Sequence, residues 1–379
     1  MTEVVIAGIG QIPVGEHWEL SLRQMSTRAI RAALADSGGL QPQALYIGNV
    51  FSSVISHQAN LGSLLSDYAG LRGIEAYTVE AAGASGGGAL RMAYMAILSG
   101  YVETALVLGV EKWTDQVGRE LQTAASMTMD YDFEATPGLS VSGQAGLLMQ
   151  RYLYEYKLPA NALAGIPMRA HANALHNPNA FYHRKLTLAE YETADKTSDP
   201  LCPYDVAPMA DGAAALLLTR RDRLPANFGR PLVRITGSSV AIDTLAVHDR
   251  PDPLAFAAVH ESMENACKQA GIQPGEADLF EVDDAYSIYA ALSLEAAGFA
   301  EKAKGAKVEQ LSTPILTMGG GKARGNPMGA KGVYQTVEAV QQLRGECGEN
   351  QVAGASTALI QCLGGPASTA ITHVLEKID

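Results

Sequence analysis

The chain repeats itself, and the repeat restricts its fold more than any other feature. ADSGGLQPQALYIGN (Ala35 to Asn49) and CKQAGIQPGEADLFEVD (Cys267 to Asp283) carry the same punctuation. In each, a helical stretch with apolar spacing ends at glycine, proline follows, and a β-type run begins. The helices are Ser26 to Asp36 and Ser262 to Ala270, and the strands Ala44 to Val50 and Ala277 to Val282. A second pairing sets the helix Gly88 to Gly100 beside Gly332 to Gly345, each preceded by a glycine-rich turn, and a third sets Asp211 to Leu224 beside Gly365 to Ile378. Three matched pairs in one order predict a duplicated α/β unit. The halves run over 1–225 and 226–379. Matched helices lie about 244 residues apart but matched final strands only about 154, so the first half carries roughly 90 extra residues. These fall at about 113–208, a folded insertion with Met, Tyr and His clusters and helical segments such as Ser142 to Tyr156. It is a candidate substrate lid or cofactor platform, with extra packing or a subunit contact as the alternative.

Within the first half, Tyr77 to Glu111 is the centre. A short β-type run (Tyr77 to Val79) meets a turn of tiny residues, then a helix from about Gly88 to Ser99 that is apolar nearly all round, and then the apolar run Val102 to Val110. Such a helix is expected to be buried, and such a strand to be covered on both faces. The turn aims backbone N–H groups at one point, where they stabilise an anion. Residues at such turns are often Ser or Cys nucleophiles; here the turn holds Gly83.

Composition bounds the rest. With 47% apolar and 18% charged residues the chain is an ordinary globular mixture, and its net charge of −12 argues against a nucleic-acid or anionic-membrane surface. The first residues read as a strand, not a signal peptide, and no run is long enough for a membrane span. Cys202, Cys267, Cys347 and Cys362 have no paired or metal-type spacing, which fits free thiols in a reducing cytoplasm. His171, His176 and His183 follow no ligand pattern, so no metal is expected.

VEAAGASGG (Val79 to Gly87), HANALHNPNA (His171 to Ala180), PMADGAAA (Pro208 to Ala215), EVDDAYS (Glu281 to Ser287), GGGKARGNPMGAKG (Gly319 to Gly332) and QCLGGP (Gln361 to Pro366) together resemble the thiolase superfamily, above all the sterol-carrier-protein type. The resemblance covers essentially the whole chain. It implies a layered α-β-α-β-α fold built from a duplicated βαβαβ unit with an inserted loop domain. It also implies coenzyme A as part of the substrate, with no covalently bound cofactor. Family enzymes attack an acyl-CoA with a cysteine in the first turn, where this chain has Gly83. The family's Asn or His in the next loop corresponds to Asp283, the His of its glycine-histidine-proline loop to Asn326, and its second cysteine is kept as Cys362. One backbone anion hole carries over to Gly83 and Gly364.

Without a nucleophile no acyl-enzyme forms, whereas backbone donors survive the loss of side chains. A site that binds acyl-CoA and stabilises an enolate yet takes no acyl group suits retro-aldol cleavage of a β-hydroxyacyl-CoA to a ketone and a shortened acyl-CoA. A bulky acyl part is expected, a steroid side chain among the options, because thiolase-like aldolases of steroid degradation also lack the cysteine and use tyrosines. The acid/base candidates are Asp283, Asp284, Tyr286, Tyr334 and Cys362, with Asn326 donating to the thioester oxygen. Either an aspartate is the base and a tyrosine orients or donates, or a tyrosine of lowered pKa is the base. Tyr286 also reads as a core aromatic, and Asp283 with Asp284 as a helix N-cap pair. The Gly319 to Gly332 loop lacks the ending of a P-loop. Two other functions stay open: a non-catalytic acyl-CoA-binding subunit of the same fold, and an atypical acyltransferase or decarboxylase. The resemblance further implies a homodimer and a small OB-fold zinc-ribbon partner protein.

Overall fold

The computed structural model describes residues 2–378. Among these residues, nine strands form one sheet in the order β3-β2-β4-β5-β1-β6-β9-β8-β7. The first half supplies β1 (Val4–Gln11), α1 (Leu22–Asp36), β2 (Ala44–Gly48), α2 (Leu61–Tyr68), β3 (Glu75–Val79), α3 (Ser85–Leu98) and β4 (Thr104–Glu111). Four helices follow before its last strand: α4 (Arg119–Ser126), α5 (Val141–Glu155), α6 (Gly165–Ala174) and α7 (Leu188–Thr193), then β5 (Gly212–Arg220). The second half supplies β6 (Leu232–Ile242), α8 (Ala257–Ala270), β7 (Leu279–Glu281), α9 (Ser287–Ala296), α10 (Gly320–Arg324), α11 (Lys331–Arg344), β8 (Thr357–Gly364) and β9 (Thr369–Ile378).

The halves match in their core elements, with edge strand β3 and the helices α4 to α7 additions of the first half. β2 runs parallel to β4, and β7 parallel to β8; β5 and β9 close each half antiparallel. Helices α8 and α11 end on Gly271 and Gly345 in the left-handed region, φ 74° and 80°, which glycine adopts without a Cβ penalty. The stretch from 112 to 211 holds α4 to α7, whereas only four residues, 365–368, join β8 to β9.

Side-chain alternation builds the layers. On β5, Ala214, Leu216 and Leu218 face an inner core with Leu90, Ala93 and Ile97 of α3 and Val333, Val337 and Val340 of α11. Ala213, Ala215 and Leu217 face the other way, onto α1 and α2. Beyond the second half lies a third core containing α8, α9 and residues of α5 and α6. Helices α3 and α11 are thus the filling between two half-sheets, in the α-β-α-β-α order the resemblance implies. Each leucine or isoleucine buried there contributes about 1.5–3 kcal/mol. The half-sheets meet where β1 pairs β6, through Val5 with Arg234 and Ile6 with Val233.

One expectation fails. Helix α3 is not buried all round: Met92, Met95 and Leu98 are exposed, as are Tyr77 on β3 and Tyr101 just beyond the helix. β3 is an edge strand, so this face of α3 lies beyond the reach of the rest of the sheet. Among the described residues, no helix is long and apolar enough to cross a membrane.

Candidate active site

The turn before α3 is held tightly. Ser85 Oγ accepts the Ala81 N–H at 2.9 Å and donates to Ala82 O at 2.7 Å, while Glu80 Oε1 accepts the Ala82 N–H at 2.6 Å. These bonds fix Ala82 at φ 48°, a left-handed conformation that costs a non-glycine residue about 1 kcal/mol or more. Gly83 follows, buried, inside a single 3₁₀ turn whose first N–H groups have no acceptor within the turn.

The space in front of Gly83 is occupied. A Cβ on Gly83 would stand 2.5 Å from Leu363 O and 3.3 Å from Lys331 Nζ. Leu363 lies near the end of β8, locked to β9 by the ladder that pairs Leu363 with Ala370. Lys331 opens α11 and is buried. Its ammonium forms an ion pair with Asp283 Oδ2. The same oxygen accepts the Leu363 N–H at 2.9 Å, and Oδ1 accepts the Ala285 N–H at 3.1 Å. Asp283 thereby ties the loop after β7, the end of β8 and the start of α11 to the Gly83 turn.

Cys362 lies beside this group but faces a tight cleft. A Cβ on Gly87 would come within 2.9 Å of its Sγ, and one on Gly332 within 2.7 Å, so two glycines make room for one thiol. Burial, with Asp283 adding to it and Lys331 opposing, pushes the Cys362 thiol up to about 12. It is a protonated, packed side chain at neutral pH.

The other sequence candidates separate. Asp284 Oδ1 and Oδ2 accept the N–H groups of Gly321 and Lys322 at 2.6 and 3.0 Å. The acceptor at the start of α10 is therefore the protein's own Asp284 carboxyl group, which accounts for the glycine-rich loop without a phosphate. Neither aspartate caps α9: its N-cap residue is Tyr286, with no side-chain cap bond. Tyr334 is turned away from Gly83. Its fully buried hydroxyl lies 2.9 Å from Ile12 O and 3.0 Å from Ala213 O and serves β1 and β5.

Tyr286 and Asn326 lie along one strip of backbone, residues 206–210, where Val206 bridges Tyr286 and Met209 bridges Asn326. The Tyr286 hydroxyl is 3.1 Å from Ser142 Oγ of α5 in the inserted segment, and burial raises its pKa above the ordinary phenol value. Asn326 has its backbone fixed by Pro208 O and Ala210 N, but its buried Oδ1 has no hydrogen-bond partner. Buried polar groups are nearly always paired. Oδ1 is an acceptor, so the partner it lacks among the described residues is a donor.

Three charged residues escaped the sequence reading. Lys331 stood inside the quoted glycine-rich motif, and a lysine amid Ala and Gly before a buried helix was its only signal. Lys322 is buried too, its ammonium donating to Asp205 O at 2.7 Å and lowered by burial to about 8. Glu111, at the end of β4, accepts the N–H groups of Val50, Phe51 and Gly329 at 3.0, 3.1 and 3.2 Å and the Asn49 amide at 2.9 Å. Burial lifts it to about 7. It clamps the loop that follows Asn326 onto the first half.

Two half-sheets packed on α3 and α11, with the Gly83 turn of one half against Leu363 and Lys331 of the other, form the layered architecture of the thiolase fold. Residues 4–222 match the thiolase N-terminal domain and residues 239–377 the thiolase C-terminal domain-like family, so the chain belongs to the thiolase superfamily. It is 37% identical to an acetyl-CoA acetyltransferase of Methanothermobacter thermautotrophicus, with both chains covered in full. It is 26% identical to the benzoylsuccinyl-CoA thiolase subunit BbsB of Thauera aromatica, over 92% of this chain and 91% of that one. Among solved structures it superposes on an Ltp2-ChsH2(DUF35) aldolase with a TM-score of 0.84 at 20% identity, covering 99% of this chain and 98% of the other.

Proposed function

We propose that the protein is a CoA-dependent carbon–carbon lyase that cleaves a β-hydroxyacyl-CoA by retro-aldol chemistry, without an acyl-enzyme. The observation that carries this reading is the occupation of the space at Gly83 by Leu363 O and Lys331 Nζ. The position that the resemblance assigns to the nucleophile holds no side chain and leaves no room for one, while the Gly83 N–H at the start of its turn does not depend on a side chain. The likeness in fold to an aldolase supports the same reading. The two halves, 1–225 and 226–379, each contribute: the first Gly83, the second Asp283, Asn326 and the Gly364 N–H. The Asn326 side-chain N–H donates to the thioester oxygen. Tyr286, held protonated by burial, delivers a proton to Cα as the enolate collapses. Asp283, with its oxygens committed to Leu363, Ala285 and Lys331, is a poor solitary base.

A second reading, a non-catalytic acyl-CoA-binding subunit, draws on the same crowding at Gly83. An acyltransferase of the kind its relatives' names describe needs a reactive thiol, and the packed, protonated Cys362 argues against one. The exposed apolar face of α3 beside edge strand β3 supports a homodimer, and the aldolase complex named above supports a small partner protein. The acyl part, a steroid side chain among the candidates, is taken from the resemblance, and a cytoplasmic setting from the four free cysteines.

The test is chromatographic. The protein, alone and with any small co-purifying partner, is incubated with β-hydroxyacyl-CoAs carrying a tertiary β-carbon. Equal amounts of ketone and shortened acyl-CoA, lost in a folded Tyr286→Phe variant, support the lyase. Tight binding of acyl-CoA with no product under either condition shifts the assignment to the binding subunit.

A further inference from the structure

We propose that Lys331 is a catalytic residue that contacts the substrate's β-oxygen and, paired with Asp283, carries its proton during carbon–carbon cleavage. This rests on the lyase reading above. The ammonium stands 3.3 Å from where the Cβ of residue 83 would be and Leu363 O fills the rest of that space, so a β-oxygen reaches the ammonium from beside the turn and not through the position of a residue-83 side chain. That turn has helix-start N–H groups with no acceptor inside it, which suit an oxygen that gains negative charge. A cation fixed at the same spot stabilises that charge further. Asp283 orients the ammonium, and its own position is set by backbone N–H groups from Leu363 and Ala285. An ion pair held this rigidly loses no reorganisation energy when charge develops beside it. Burying two charges costs several kcal/mol per ion before their attraction is counted, an outlay that a purely packed core at Gly83 would avoid.

The step balances without any further reagent. The β-hydroxyl O–H bond breaks, and its proton passes to Lys331 Nζ as Lys331 hands one of its own to the Asp283 carboxylate. The O–H electron pair becomes the second bond of the ketone, and the Cα–Cβ pair moves onto the thioester as an enolate. Tyr286 then protonates Cα, and the proton on Asp283 returns to the tyrosinate through solvent. Lys331 remains an ammonium throughout, so it forms neither an amide with the thioester nor an imine with the ketone.

Lys331→Met alone strands a buried Asp283, so the informative protein is the double variant Lys331→Met/Asp283→Asn, checked for folding by circular dichroism and thermal melting. Two quantities are read: kcat on a β-hydroxyacyl-CoA, and the ratio of its dissociation constant to that of the same acyl-CoA without the hydroxyl. The expected result is a wild type that binds the hydroxylated form about tenfold more tightly, a preference of the size expected for a hydrogen bond to a charged group. The double variant shows no preference and a kcat lower by about 100-fold or more, with affinity for the unhydroxylated thioester unchanged. A folded double variant that keeps the preference, or turns over within tenfold of wild type, overturns the proposal and leaves the lyase reading standing. Borohydride trapping of a ketone adduct on Lys331 also overturns the relay. A wild type with the preference and no turnover overturns the lyase reading and the relay together, retaining Lys331 only as the β-oxygen contact.

Discussion

Tyr334→Phe removes a hydroxyl that serves two backbone carbonyls, Ile12 O and Ala213 O, deep between the half-sheets. The expected outcome is a loss of about 1–3 kcal/mol in chemical denaturation with kcat unchanged, whereas Tyr286→Phe lowers kcat and leaves stability close to wild type. A Tyr334→Phe enzyme that folds normally but loses turnover would return that tyrosine to the reaction. Gly83→Cys tests the crowding at the turn. Its Cβ meets Leu363 O at 2.5 Å, and that carbonyl belongs to a strand fixed by its ladder. We expect a destabilisation of about 1–3 kcal/mol and no acetyl adduct by intact-mass spectrometry after exposure to acetyl-CoA; an adduct would show that β8 gives way. Motif positions single out Gly83, Asp283 and Asn326 in the sequence; the structure sets Lys331 against the first two and places Asn326 on the strip 206–210. It did not identify the partner of Asp283. A lysine at the first position of a helix reads as a surface residue, and only the close approach of β8 and α11 makes it a buried one. Tyr334 misled for a related reason: nearness in sequence to a reactive loop says nothing about which side of a buried helix a hydroxyl faces.

Glu111 links three elements, the end of β4, the loop after β2 and the loop before α11. Burial raises its pKa from 4.5 to about 7, so the native protein holds this proton more tightly than the unfolded chain does. Between about pH 4.5 and 7 the folded state therefore binds more protons than the unfolded one, and stability falls as pH rises through that window. The loss amounts to roughly 3 kcal/mol when complete. Glu338 of α11, raised to about 8 and paired with Arg324, acts in the same direction at slightly higher pH. In urea melts from pH 5 to 8, Glu111→Gln is expected to flatten the decline relative to wild type while leaving the Glu338 contribution. An unchanged slope would mean that Glu111 stays ionised over the whole range. None of this was legible in the sequence, where Glu111 reads as the polar end of an apolar strand. The partners of its carboxylate come from residues 49–51 and 329, and strand pairing brings them together.

The duplicated architecture was the most legible feature of the whole molecule, because it is carried by punctuation: the glycine caps after α8 and α11, Pro42 and Pro274, and apolar runs whose lengths suit covered strands. The exposure of α3 was not legible. Apolar residues all round a helix signal burial against something, and a single chain does not say whether that something is itself. Tyr77, Met92, Met95, Leu98 and Tyr101 form a face that a second copy covers under the homodimer proposal. Met95→Glu is expected to convert a dimer into a monomer in sedimentation equilibrium; a wild type that sediments as a monomer removes the proposal. The seam between the half-sheets bears differently on the site. β1 and β6 share only the pairs Val5 with Arg234 and Ile6 with Val233, whereas Gly83 comes from one side of that seam and Leu363, Asp283 and Lys331 from the other. The distances that matter are thus a gauge of how the halves are docked. Because both halves share the inner core around α3 and α11, that gauge is expected to hold until the fold melts as a whole, so that on heating ligand affinity and far-ultraviolet dichroism fade together.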